Sequence, residues 1–167
     1  MVEPAKIKDI SKNYEVENIK FRSFLKNRAD EEELDAHFLK IHNELFSIYD
    51  CLTCGNCCKE YSTTVQEHEA ASIANHLGLT KQDFANKYLQ QSAEGYIIKA
   101  PCCFLGENGE CKIIDCRPQE CIDFPHTDKP ERLWSLLSVV QNTEICPVVF
   151  EIFERLKRIY GFRGRGE

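Results

Sequence analysis

The sequence predicts an α+β fold that is mainly helical, with a small cysteine-bearing β-hairpin. Apolar residues recur at helical spacing before residue 50, between 65 and 89, and again after 130. Between 96 and 115 that texture gives way to strand and turn signals. Ten cysteines, all between residues 51 and 146, lie on both sides of the change. At 167 residues the chain is long enough to bury one sizeable core. It reads as an N-terminal extension (1–28), a single domain carrying the cysteines (29–160) and a flexible tail (161–167).

The extension is polar and mixed in charge, and Phe21, Phe24 and Leu25 predict a short amphipathic turn within it. Asp30 begins a better segment, with Glu33 three residues on in a capping-box-like pattern. Leu34, Phe38, Ile41, Leu45 and Ile48 then predict an amphipathic helix over 31–49 that runs directly into Cys51. Thr64-Val65-Gln66-Glu67 reads as a capping box for a helix over 65–77, with Gly78 at its end. Thr80 and Asp83 start a short helix carrying Phe84, Tyr88 and Leu89 inward. Gly95 closes the helical region. Tyr96 to Lys99 has strand character, and the segments 101–105 and 111–114 flank the turn signal Gly106-Glu107-Asn108-Gly109, so 96–115 reads as a small sheet or hairpin. Arg117 to Cys121 reads as a turn or a single helical turn. Pro130 suits the first turn of a helix with the apolar face Leu133, Trp134, Leu136, Leu137 and Val140. A last helix starts at Cys146-Pro147 and buries Phe150, Phe153, Leu156, Ile159 and Tyr160.

The chemistry concentrates in Cys51-Leu52-Thr53-Cys54-Gly55-Asn56-Cys57-Cys58, four cysteines in eight residues. A thiolate is a soft ligand, and two thiolates separated by two residues can face one metal ion. Gly55 stands where such a turn needs positive φ. No apolar signal region opens the chain, so a reducing, cytoplasmic setting is expected, in which ten cysteines favour metal over disulfides. The net charge of −6 argues against nucleic acid and anionic membranes as partners, and no apolar run approaches transmembrane length.

The cysteines divide in more than one way. Cys51, Cys54 and Cys57 with Cys146-Pro147 resemble the CxxCxxC plus CP pattern of bacterial ferredoxins, which holds a [4Fe–4S] cluster. Cys58, Cys102, Cys111 and Cys121 then make a second four-cysteine site. In the other division, Cys51 and Cys54 form a zinc knuckle paired with a second cysteine pair around tetrahedral Zn²⁺. Spacing alone does not choose between zinc and iron. Cys146, at a helix N-terminus, meets free N–H groups and the positive end of the helix dipole, which favour a thiolate. Arg117 lies between Cys111 and Cys121, where a cation would offset the excess negative charge of a four-thiolate site or would serve as an ordinary salt-bridged arginine. His37, His42, His68 and His76 ride on helices away from the cysteines. His126 is the best non-cysteine ligand candidate.

The pattern goes further. Cys51-x-x-Cys54-Gly-x-Cys57-Cys58, Pro101-Cys102-x-Phe104-Leu105, Cys111-x-Ile113, Arg117-Pro118-x-x-Cys121-x-x-Phe124-Pro125 and Cys146-Pro147, in that order, resemble the YkgJ-type cysteine-cluster family of zinc- or iron-chelating domains. The resemblance spans residues 51–147. It implies a metalloprotein fold organised around a site of Cys51, Cys54, Cys57, Cys58, Cys102, Cys111, Cys121 and Cys146, holding Zn²⁺ or iron, the latter as an iron–sulfur centre. Cys103 and Cys116 fall outside the pattern, and Ile114 and Ile122 stand where the family often has tyrosine and arginine. The family name describes chelation and not a reaction. The chain has no Gly-rich loop for S-adenosylmethionine, no GxxxxGK[ST] and no assignable Ser-His-Asp set. A metalloprotein serving structure, metal handling or an unidentified protein partner is the first expectation. An iron–sulfur redox protein or oxidoreductase component is the second.

Overall fold

The computed structural model describes residues 1–93 and 95–164. In chain order the elements are α1 (Ile7–Lys12), α2 (Glu15–Arg28), α3 (Glu31–Phe46), α4 (Cys51–Cys54), α5 (Asn56–Glu60), β1 (Thr63–Val65), α6 (Glu67–His76), α7 (Lys81–Tyr88), β2 (Gln90–Ser92), β3 (Gly95–Ile98), α8 (Gln119–Asp123), α9 (Arg132–Asn142) and α10 (Pro147–Ile159). The fold is therefore α+β and mainly helical, with one small antiparallel sheet. No helix among the described residues is long and apolar enough to cross a membrane. Of the tail expected over 161–167, residues 165–167 lie outside the described residues. The chain forms two compact units, one of Met1–Asp50 with the segment from Pro125 and one of Cys51–Phe124.

The first unit is helical. In α3 the Asp30 carboxylate accepts the Glu33 N–H at 3.0 Å, and Glu31, Glu32 and Glu33 fill the first turn, where the helix dipole favours negative charge. Leu34, Phe38, Ile41 and Leu45 are all buried, as their spacing requires. The helix ends at Phe46, three residues earlier than expected, so Ile48 falls off its inner face and is 78% exposed. The N-terminal extension is more ordered than a single amphipathic turn. Its helix α2 buries Asn18, Phe21 and Leu25, and Phe21 packs edge-on against Phe153 of α10 with ring centroids 5.0 Å apart. The inner position at Asn18 is polar because its amide donates to the buried Thr143 hydroxyl, which hides the helical period from a hydrophobicity pattern.

Helix α9 also differs from its expected face. Leu136, Val139 and Val140 are buried, whereas Trp134 is 77% exposed, with the Lys26 ammonium 4.8 Å from its ring centroid. Its start is not set by Pro130. Asp35, from α3, accepts the N–H groups of Glu131 at 2.7 Å and Arg132 at 2.8 Å. Helix α10 begins as expected, with Cys146 at the cap and Pro147 in the first turn, and buries Val148, Val149, Ile152, Phe153 and Leu156. Ile159, in its last turn, is half exposed.

In the second unit the sheet has the order β1-β3-β2, with Thr63 opposite Ile98, Val65 opposite Tyr96 and Gln90 opposite Ile97. Thr63 and Val65 point inward and are buried. These β-branched residues draw Thr64 into a strand, so the expected capping box moves two residues along. Glu69 accepts the Gln66 N–H at 2.7 Å to start α6. That helix ends at a left-handed Gly78, φ 68°, where the Leu79 N–H reaches back to the Ala74 carbonyl. Thr80 caps α7 by accepting the Asp83 N–H. Phe84 is buried among Val65, Ile73, Ile98, Phe104 and Ile113, with Tyr88 and Leu89 against the same core.

The cysteine-bearing segments 101–105 and 111–114 close on the Gly106–Gly109 turn, but they share one antiparallel bridge, Leu105 to Cys111, rather than a ladder. Ile113 dives into the core and the chain turns into a 3₁₀ helix, Ile114–Cys116, which ends the pairing.

Asp35→Ala should lower the stability of the first unit by about 1–2 kcal/mol, because two N–H groups at the start of α9 lose their acceptor. Urea unfolding followed by Trp134 fluorescence measures it, and an unchanged midpoint would show that water replaces the carboxylate without cost.

Candidate metal centre

The cysteine cluster is built on two helical turns broken at Gly55. Gly55 has φ 56°, the left-handed region that glycine enters without strain. A β-carbon there would find only Leu105 Cδ1, at 3.9 Å, so the requirement is for the dihedral and not for space. The Gly55 N–H donates to the Cys51 carbonyl at 3.0 Å, closing the turn that carries Cys51 and Cys54. The second turn carries Cys57 and Cys58.

Three further contacts bring distant cysteines to that second turn. The Cys102 N–H donates to the Cys58 carbonyl at 2.7 Å and ties the 101–105 segment to α5. Cys111 arrives through its bridge to Leu105. Cys121 arrives on α8, whose placement rests on Tyr61 just after α5. The Tyr61 hydroxyl donates to Glu120 at 2.7 Å, and its ring lies 4.8 Å from that of Phe124. The buried Thr63 side chain hydrogen-bonds the Cys121 sulfur.

The thiols sense one another. A hydrogen bond from Cys57 pulls the Cys58 thiol down to about 6, against the cost of burial and with help from the Arg117 and Lys59 charges. Burial pushes the Cys102 thiol up to about 11, and the neighbouring Cys103, Cys58 and Cys121 add to the rise. Cys121 is also raised, chiefly by burial and then by Cys58 and Cys111, while the Thr63 hydrogen bond and Arg117 act the other way. Cys57, Cys58, Cys102, Cys111 and Cys121, from four segments of chain, thus share one electrostatic neighbourhood. Arg117 lies within it, and its Nε is buried with no hydrogen-bond partner among the described residues.

The other thiols are placed differently. Cys51 is exposed and Cys54 half-buried on the preceding turn. Cys146 is buried in the first unit at the cap of α10, where its carbonyl accepts the Phe150 N–H at 3.0 Å. Cys103 is exposed. Cys116 is raised first by burial and then by Asp115 and Cys111. His126 sits in the loop before α9 at φ 61°, and its carbonyl accepts from Arg132. Among the described residues no two cysteines are joined in a disulfide. Among them, too, no three His, Cys, Asp or Glu side chains converge closely enough to hold a metal ion as they stand.

Residues 50–147 match the CxxCxxCC family, described as "Putative zinc- or iron-chelating domain". The chain belongs to this family. No curated protein and no solved structure matches it. The donor set suits that description. Several soft thiols share their surroundings with Arg117, whose buried Nε has no acceptor among the described residues, and a thiolate-bound metal would supply negative charge to meet it. Tyr61, Thr63 and Glu69, which hold the cysteine-bearing helix α8, escaped the sequence reading. Their partners lie about fifty to sixty residues away, and nothing local marks them.

The thiol order has a direct consequence. In reduced, metal-free protein at pH 7, limiting iodoacetamide should label Cys58 ahead of Cys102, Cys116 and Cys121, because only the first is largely thiolate there. Arg117→Gln should slow labelling of Cys58 at pH 6.5. Peptide mapping by mass spectrometry reads both, and equal labelling of all four would contradict the assigned order.

Proposed function

We propose that the cysteine cluster binds zinc or iron, and that this chain is a metalloprotein serving structure, metal handling or recognition of a protein partner. The supporting observation is the shared electrostatic neighbourhood of Cys58, Cys102, Cys111 and Cys121 with one arginine. Neutral thiols gain little from such proximity, and thiolates repel, so a cation among them gives the arrangement its purpose. Cys51, Cys54 and Cys57 extend the donor set along the adjoining turns. Zinc in this setting would cross-link the segments, and an iron–sulfur centre would add one-electron transfer. A reducing, cytoplasmic setting would keep the thiols available.

Because the ligands come from separate stretches, binding free energy is also folding free energy. Elemental analysis of anaerobically purified protein should find zinc or iron in whole-number ratio to chain, and visible absorbance separates a coloured iron–sulfur centre from colourless zinc. Cys58→Ser, Cys102→Ser and Cys121→Ser should each lower bound metal, and full retention in the triple variant would overturn the proposal. Affinity should also rise with pH between 6.5 and 8.5. Cys102, with its thiol near 11, must lose a proton to bind, and that loss becomes easier as pH rises.

A further inference from the structure

One carboxylate in the second unit joins two helix starts. Glu69 Oε2 accepts the Gln66 N–H at 2.7 Å, at the beginning of its own helix α6. Glu69 Oε1 accepts the Gln119 N–H, also at 2.7 Å, at the beginning of α8, fifty residues away. Each bond satisfies a backbone donor that a helix start leaves without an intrahelical partner, and each is charge-assisted. Helix α8 is only five residues long, too short to hold its own place. It carries Cys121, and Arg117 lies two residues before it.

We infer that Glu69 is a positioning residue for metal binding: its bidentate grip on Gln66 and Gln119 fixes where α8 presents Cys121. The inference rests on the metal-binding reading above. The hydrogen bonds of Glu69 go to Gln66 and Gln119, so its effect on the metal passes through the placement of α8. Tyr61 and Thr63 hold the same helix through Glu120 and the Cys121 sulfur. Gln66 anchors the grip to α6, which packs into the unit's core through Ala70, Ile73 and Ala74.

The test compares Glu69→Ala and Glu69→Gln with Thr80→Ala, which removes the cap of α7, a helix without cysteine. Co²⁺ serves as the probe, since its thiolate charge-transfer and d–d bands report ligand number and geometry. Glu69→Ala should weaken Co²⁺ binding about tenfold and alter the band pattern, an effect of the size found when outer residues orient a ligand. Glu69→Gln keeps one acceptor oxygen and should recover part of the loss. Thr80→Ala should leave the bands unchanged at a comparable loss of urea stability. Equal effects of Glu69→Ala and Thr80→Ala on the bands would overturn the inference, because only general stability would then be at work. Amide exchange in metal-free protein is the second arm. Glu69→Ala should reduce protection at Cys121, Ile122 and Phe124, whose N–H groups are bonded within α8 and its cap. Unchanged protection would overturn the inference whatever the metal does. Lost protection alongside a wild-type protein that binds no Co²⁺, Zn²⁺ or iron would instead overturn the metal reading and leave the grip on α8 standing.

Discussion

Burial and mutual repulsion both disfavour thiolates, and the second unit gathers its cysteines against both costs. Two unit charges about 6 Å apart in a medium of effective dielectric near 20 interact by about 3 kcal/mol. The direction of each thiol's shift records the conflict. Cys102 and Cys121 are pushed toward the neutral form by burial and by their neighbours, whereas Cys58 is drawn toward the thiolate. Apart from the Cys57–Cys58 contact, the placement of Cys102 and Cys121 falls to groups other than the sulfurs. The Cys102 N–H on the Cys58 carbonyl, the Tyr61 hydroxyl on Glu120 and the Glu69 carboxylate on Gln119 make the assembly. None of these bonds needs a metal, and none is weakened by a change in the charge of a thiol.

The features legible in the sequence are those whose cause lies within one turn of helix. The spacing of Leu34, Phe38, Ile41 and Leu45, the Thr80–Asp83 cap, the left-handed Gly55 and the Cys146-Pro147 helix start are of this kind, and each is present. The differences arise where a distant partner decides. Thr64 looks like a cap until Thr63 and Val65 pair with Ile98 and Tyr96. Helix α9 is started by Asp35, about a hundred residues before it, and not by Pro130. The 101–114 segment has strand-like residues on both sides of a good turn, yet Ile113 is worth more inside the core than in a ladder.

The same division runs through the candidate site. Cysteine spacing singles out the stretches that the family match also covers, because ligand chemistry leaves its mark in residue type. It does not reveal how α8 is placed beside α5, since that depends on bonds between residues 61–69 and 119–121. This pairing of two short stretches is regular: Tyr61 with Glu120, Thr63 with Cys121, Glu69 with Gln119. The stretch from the end of α5 to the first turn of α6 acts as a cradle for α8, and its residues are ordinary ones that no motif would single out.

Arg117 and Lys59 complete the electrostatic picture. Four thiolates around a divalent cation leave a charge near −2. Both cations act on Cys58, and Arg117 acts on Cys121 as well. Lys59 is exposed, so water and salt screen most of its effect, whereas Arg117 is half-buried with its Nε out of contact with solvent and is screened less. The compensation is therefore unequal: it helps lower Cys58, acts only as a minor influence on the raised Cys121, and does not figure at Cys102, whose thiol is pushed up to about 11. A metal entering this site would meet a ready thiolate at Cys58 and would have to displace a proton at Cys102. That asymmetry would make Cys58 the easier of the two thiols for a metal to engage.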